Sequence, residues 1–443
     1  MLHSHAKYLL LVLFIIGGVH LSAQTTTSSG TNTSDPNNGH ENDPYSKFGI
    51  GELQNGNSAV LRGMGNVTSA FENPYEINSD NPASYCYLQT LVFEAGGTAS
   101  TRNINALDQT YTTGTATLSY LNIAVPVGKK GGLCFGYRPY THTYYSLADT
   151  IFNSPIGSAS RVYNGEGGLS YAYLGGAYRY KDFSVGANVG YMFGTIRSTT
   201  AIIPIDTNLY NRAYTTEYTN YNRIGGIYWK AGFLYEHKFD SSDYILRIGG
   251  TLTLQQNLGQ RLDAYQISSY NFGDTLVNDT SSNSADQRGK LRLPMTYTIG
   301  VMLTKKDKWS LGIDYTATQW SGYNSSLDST MNYGIASSSY KISLGGEYTP
   351  DVNNIRNYFS RVTYRAGVYY GTDYLNIAGT QIPCYGFTFG GSLPFRRSLS
   401  RLNLAMDIGR LGTTTNSLIQ ETYARFTLGF SFSQKPAPKR LYE

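Results

Sequence analysis

Few side chains in this sequence have the type and spacing that carry out covalent chemistry. Beyond residue 23 the histidines are His40, His142 and His237. There is no HExxH helix, no GxSxG turn and no phosphate-cradling glycine loop. His142, in Tyr140-Thr141-His142-Thr143-Tyr144, could join a serine and an aspartate in space as an outer-membrane esterase does. Nothing local supports that, and a wall histidine at an outer surface is the simpler reading. Cys86, Cys134 and Cys384 are scattered and show no zinc spacing, so neither a metal nor another cofactor is expected. Three other residues carry more information. Pro139, in Gly136-Tyr137-Arg138-Pro139-Tyr140, falls inside a strand-like run. It cannot donate to a ladder, so a break there could open a wall sideways. Arg138 presents a guanidinium fork suited to a carboxylate, on a ligand or on the wall itself. Glu94 stands between Phe93 and Ala95 with the polar parity of its run, as a residue facing an interior would.

The elements that must position these residues follow from composition and period. The chain has 443 residues, of which 15% are charged, against roughly 25% in an average soluble protein. Tyr numbers 40 and Gly 48, and the mean hydropathy is −0.32. A chain poor in charge yet not apolar overall fits strands with one apolar and one polar face. A net charge of +5 without a long basic run weighs against a nucleic-acid partner.

Lys7, the apolar run from Tyr8 to Gly18 and the small residues at Leu21-Ser22-Ala23 predict a signal peptide over residues 1–23, and so export. Residues 24–43 read as a disordered leader, 44–88 as a compact segment without period, 89–434 as alternating strands and 435–443 as a polar periplasmic tail. No later run is apolar enough for a spanning helix, which leaves a closed barrel as the way to cross a membrane. The alternation is clear at Phe426, Leu428, Phe430 and Phe432 against Thr427, Gly429 and Ser431. It recurs at Phe183, Val185, Val189 and Tyr191 against Ser184, Gly186 and Asn188. About fourteen such runs occur, an even number, with short turns alternating with longer polar stretches at 148–159, 269–285 and 323–334. The fold class expected is therefore all-β: a transmembrane antiparallel β-barrel of about 14 strands. Residues 44–88 can plug such a barrel as an N-terminal, periplasmic-side hatch, and Asn81-Pro82-Ala83 is then either the bend that leads into the first strand or an ordinary turn.

Gly63-Met64-Gly65, the small residues Ser69-Ala70 and Asn81-Pro82-Ala83 before the first strand resemble the FadL/TodX family of outer-membrane transporters. Tyr45 to Glu52 is similar to the version of that family found in Bacteroidota. The resemblance implies a fourteen-stranded barrel with a hatch in a Gram-negative outer membrane, surrounded by lipid. It implies uptake of a hydrophobic small molecule, of long-chain fatty acid or aromatic type, released sideways at a kink in the third strand. Some Bacteroidota relatives are instead subunits of protein machines, such as a type IX secretion shuttle or a barrel-assembly accessory. The alternative is therefore a non-transporting scaffold whose outer loops or periplasmic face hold protein partners.

Overall fold

The computed structural model describes residues 42–434 apart from 55, 107–108, 155–156, 206–213, 240–242, 273–274, 355 and 397. The expected signal peptide at 1–23, all but the last two residues of the leader and the tail at 435–443 lie outside the described residues.

Fourteen strands form the wall: β1 Leu91–Ala106, β2 Gln109–Val127, β3 Gly131–Pro139 with Thr141–Ser154, β4 Gly157–Tyr180, β5 Phe183–Pro204, β6 Thr215–Lys238 and β7 Tyr244–Thr253 with Gln256–Phe272. They continue as β8 Thr275–Leu293 with Met295–Lys305, β9 Trp309–Gln319, β10 Ser339–Tyr348, β11 Thr363–Ile377, β12 Thr380–Pro394, β13 Arg401–Gly412 and β14 Gln420–Gln434. Each pairs antiparallel with its neighbour. The last strand returns to the first, from Gln434↔Leu91 to Gln420↔Asn105, so the sheet closes. The end that holds both strand termini and short turns such as Lys181-Asp182 is the lower one, which faces the periplasm in outer-membrane barrels.

Strand parity decides which face is solvated by what. On β5, Phe183, Val185, Val189, Tyr191 and Phe193 are exposed outward, while Ser184 and Asn188 are buried inward. On β14, Phe426, Leu428 and Phe432 point out, and Thr427, Ser431 and Ser433 are buried. The outward set is a hydrocarbon-facing band, and the inward set is polar because it lines a lumen. The buried core therefore lies inside the barrel, against residues 42–90.

The stretches 148–159 and 269–285 are corrected from loops to strand: β3 runs to Ser154, β4 starts at Gly157, and β7 and β8 pair out to Phe272↔Thr275. Ser, Thr and Asn occupy both parities of these stretches, so no apolar period marks them. Pro294 separates the two pieces of β8, whereas Pro383 sits inside β12 opposite Thr372.

A cation in the outward band leaves hydrocarbon for no partner. Val189→Arg is expected to lower folding stability by about 2–4 kcal/mol, read as the urea midpoint of the heat-modifiable gel shift in lipid vesicles. An equal midpoint for the variant would contradict the assignment of this face.

Candidate functional site

Residues 42–90 run down the lumen. At the top, Asp43 caps the turn Pro44–Lys47 by accepting from Tyr45 N at 3.0 Å. Lys47 Nζ lies 3.3 Å from the centre of the Tyr163 ring. Midway, helix α1 (Ala59–Gly63) brings Arg62 to Thr98 Oγ1 at 3.1 Å. Gly65 N donates to Thr388 Oγ1 at 2.8 Å, and Thr68 N and Ser69 N donate to one Asp314 oxygen at 2.6 and 2.8 Å. At the bottom, Asn81 caps the 3-10 turn Pro82–Tyr87, accepting from Ala83 N at 3.0 Å and donating to Phe233 O at 3.0 Å. Tyr85 donates to Asn188 at 3.0 Å, and Glu76 meets Arg365 at 3.3 Å.

The plug touches the wall backbone to backbone, which only glycine permits. A Cβ at Gly345 or Gly367 would overlap the Met64–Gly65 backbone, one at Gly249 the Ser69 carbonyl, and one at Gly186 the Pro82 carbonyl. Gly65 also needs its own type, since its φ is +67°. Thus Gly63, Gly65, Asn81, Pro82 and Ala83 all lie in the lumen against β5, β6, β11 and β12.

Among the described residues the wall has an irregular seam at Pro139. The ladder between β2 and β3 ends at Leu121↔Tyr137, and Pro139 has no N–H with which to extend it. Beyond Tyr140 the strand stays paired to β4 but, among the described residues, has no rung to β2. The plug supplies the missing edge. Glu52 and Leu53 form an antiparallel bridge with His142 and Thr141. Gln54 N donates to Tyr140 O at 2.9 Å, Asp43 N to Tyr144 O at 2.9 Å, and Tyr144 N to Ser46 Oγ at 3.1 Å. Asn42 exchanges side-chain bonds with the Ser146 backbone at 3.0 and 3.1 Å, and its N donates to Thr113 Oγ1 on β2 at 3.2 Å. Residues 42–54 are thus a strap along the open edge. Pro139 is opposite Ser170, itself opposite Phe193, so the seam begins at the upper edge of the apolar band.

Buried charge pins the strap from inside. The fully buried Arg102 contacts Glu52 at 2.9 Å, Asp43 at 3.3 Å and Glu421 more closely, and Arg425 also contacts Glu52. Burial pushes the Glu52 carboxyl up, but Arg102 and Arg425 outweigh it and hold the group well below the usual carboxylate range. Lower down, Arg138 meets Asp80 at 3.0 Å and Lys230 meets the same oxygen at 2.9 Å. Burial again raises Asp80, and Lys230 with Arg138 reverses it to below the usual range. The carboxylate at Arg138 is thus the chain's own. Glu94 accepts from Ile77 N at 2.9 Å and from Ser431 Oγ at 3.0 Å. Arg102, Asp314, Arg365 and the wall glycines escaped the sequence reading. The signal was present, because each is charged or lacks a side chain at an inward position of an alternating strand.

Two outcomes follow from this geometry. Gly345→Ala is expected to displace the plug and give ion conductance in planar bilayers, while the parent stays closed; a closed variant would contradict the backbone contact. Glu52, held low, stabilises the docked strap at and above the ordinary carboxylate range, and this stabilisation is lost as pH falls through its depressed value. Cleavage by pepsin near Leu53, taken relative to an unstructured control peptide at each pH, is therefore expected to rise steeply only at the acid end of a series from about pH 5 to pH 2. A flat profile would contradict the ion-pair account.

Compared with known proteins, the barrel resembles several solved structures. A Pseudomonas aeruginosa FadL homologue gives a TM-score of 0.56 at 12% identity, with 85% of this chain and 98% of that one covered. The Pseudomonas putida toluene transporter TodX gives 0.56 at 16% identity, covering 86% and 98%. The Ralstonia pickettii toluene transporter TbuX gives 0.53 at 15% identity, covering 85% and 98%. These likenesses establish the fold as that of FadL-like outer-membrane channels. No curated protein matches the chain. One family model, BamG, matches residues 7–443, nearly the whole chain. The chain belongs to the BamG family.

Proposed function

We propose that this chain is a plugged, FadL-like barrel of the outer membrane that acts as a non-transporting subunit of an outer-membrane protein machine, of the barrel-assembly accessory type. The observation that carries this reading is the strap. The place where a broken third strand would let a ligand out is occupied by residues 42–54, bonded to β3 from Tyr140 to Ser146. Beneath it the lumen is crossed by Arg102 with three carboxylates. A solute on that route must break a hydrogen-bonded edge and separate buried charges, and breaking one such pair costs about 3–5 kcal/mol. Membership of the BamG family supports the same direction. In this reading the barrel meets lipid with its outward band and protein partners with its upper rim or periplasmic turns, and it catalyses no reaction.

A second reading, uptake of a hydrophobic small molecule, is favoured by the break at Pro139 and by the fold shared with toluene transporters. It requires the strap to leave the seam. Leu53 and Thr141 face each other across an antiparallel pair, within reach of a disulfide. Oxidised Leu53→Cys/Thr141→Cys protein is expected to support growth and normal levels of other outer-membrane barrels in cells that lack the parent. It is also expected to bring stoichiometric partner proteins through mild extraction. Cells that fail until a reductant is added, with purified protein that passes toluene into vesicles only when reduced, would establish uptake instead.

A further inference from the structure

The outer face of the wall carries a feature that neither a plug nor a scaffold needs. On β5 the outward residues are apolar from Phe183 to Phe193, then become Thr195 and Arg197. Ten steps of about 3.4 Å on a strand tilted by about 40° rise roughly 25 Å, the height of a barrel's apolar band. On β6 the last outward apolar residue is Ile227, and Gly225 and Arg223 follow above it. At this level β5, β6 and β7 enclose an open groove of about 460 Å³. Its floor and walls include Arg197, Tyr221, Arg223, Tyr265, Glu217 and Asp263.

The groove lies where lipid head groups lie, and its chemistry is not that of an ordinary girdle. Arg197 stacks 5.4 Å over the Tyr221 ring and pairs with Glu166 at 3.2 Å. Tyr221 meets Tyr265 edge to face at 6.1 Å. Arg223 pairs with Asp263. Register places Arg223 opposite Arg261, and Arg261 opposite Arg288, so three guanidinium groups form a row across adjacent strands. Lys290 and Arg292 continue outward down β8 and are exposed. The carboxylates among these cations are Glu166, Glu217, Asp263 and Asp286. They leave the patch net positive by two charges, because six cations face four anions.

We propose that this groove binds the phosphorylated disaccharide head of an outer-leaflet glycolipid of the lipid A type. Guanidinium forks match phosphate oxygens. Ring faces of Tyr221 and Tyr265 suit the apolar C–H face of a sugar, and Glu217 and Asp263 accept from its hydroxyls. Acyl chains then descend along Phe193, Tyr191 and Ile227, which are exposed directly below. The charge, the aromatic pair and the apolar continuation are each expected of that ligand, and a plain phospholipid uses only the first and last. The assignment does not depend on whether the barrel transports or scaffolds.

The test is titration of the purified full-length protein with bis-phosphorylated, hexa-acylated lipid A in detergent, read by native mass spectrometry. Arg197→Ala/Arg223→Ala is expected to weaken retention by about tenfold or more, and removal of both phosphates from the lipid should weaken the parent similarly. Tyr221→Ala should weaken lipid A without altering retention of phosphatidylglycerol. The heat-modifiable gel shift establishes that each variant is a folded barrel, and Arg197→Gln/Arg223→Gln replaces the alanine pair if that pair does not fold. Unchanged retention in a folded double variant would overturn the proposal. So would phosphatidylglycerol that displaces lipid A at equal concentration.

Discussion

An antiparallel wall in a bilayer tolerates no free edge, because N–H and C=O groups that face hydrocarbon find no other partner. Where the apolar band ends this wall opens such an edge, and the chain's own N-terminal segment closes it. Pro139 stops the β2–β3 ladder at Tyr137, just where the apolar band ends. The strap at 42–54 then adopts the edge of β3 as a surrogate strand. Much else follows from holding that strap in register. The plug must run the full height of the lumen to connect the seam at Asn42 with β1 at Leu91. The wall must carry glycines at 249, 345 and 367 so that plug and wall backbones meet.

Charge sets the position that hydrogen bonds alone leave loose. Bridge rungs between Glu52-Leu53 and Thr141-His142 could slip, because backbone groups are alike along a strand. The Arg102 guanidinium, buried among Glu52, Asp43 and Glu421, admits one register. Lower in the lumen, Asp80 between Arg138 and Lys230, and Glu76 against Arg365, fix the plug against opposite sides of the wall. These pairs are costly to desolvate and more costly to separate. They favour one docked state over several partly docked ones.

Much of the barrel was legible in the sequence, because strand parity is a short-range signal. Ser184 and Asn188 against Val185 and Val189 assign faces without knowledge of neighbours. Pro139 also stood out, since a residue without N–H is conspicuous in a ladder. The partner of the resulting edge was not legible: that Leu53 lies opposite Thr141 depends on a contact 88 positions away, and nothing local in Tyr45 to Gln54 marks it as strand-like. Arg138 read as a possible ligand contact for the same reason, as its partner Asp80 is 58 positions distant. The ends of β7 and β8 at 269–285 were missed because polar residues fill both parities there. That is also why the groove at Arg197 and Tyr221 had no signature before the strands were placed side by side.

Residues 42–54 belong to the wall. Hydrogen exchange of these amides in lipid nanodiscs at neutral pH measures this directly. If the strap is an edge strand, the amides of Asp43 and Gln54 exchange as slowly as those that pair β3 with β4, such as Tyr145 opposite Gly165. Exchange of the strap on the timescale of a free loop, beside a protected β3, would show that the seam is open and the account wrong.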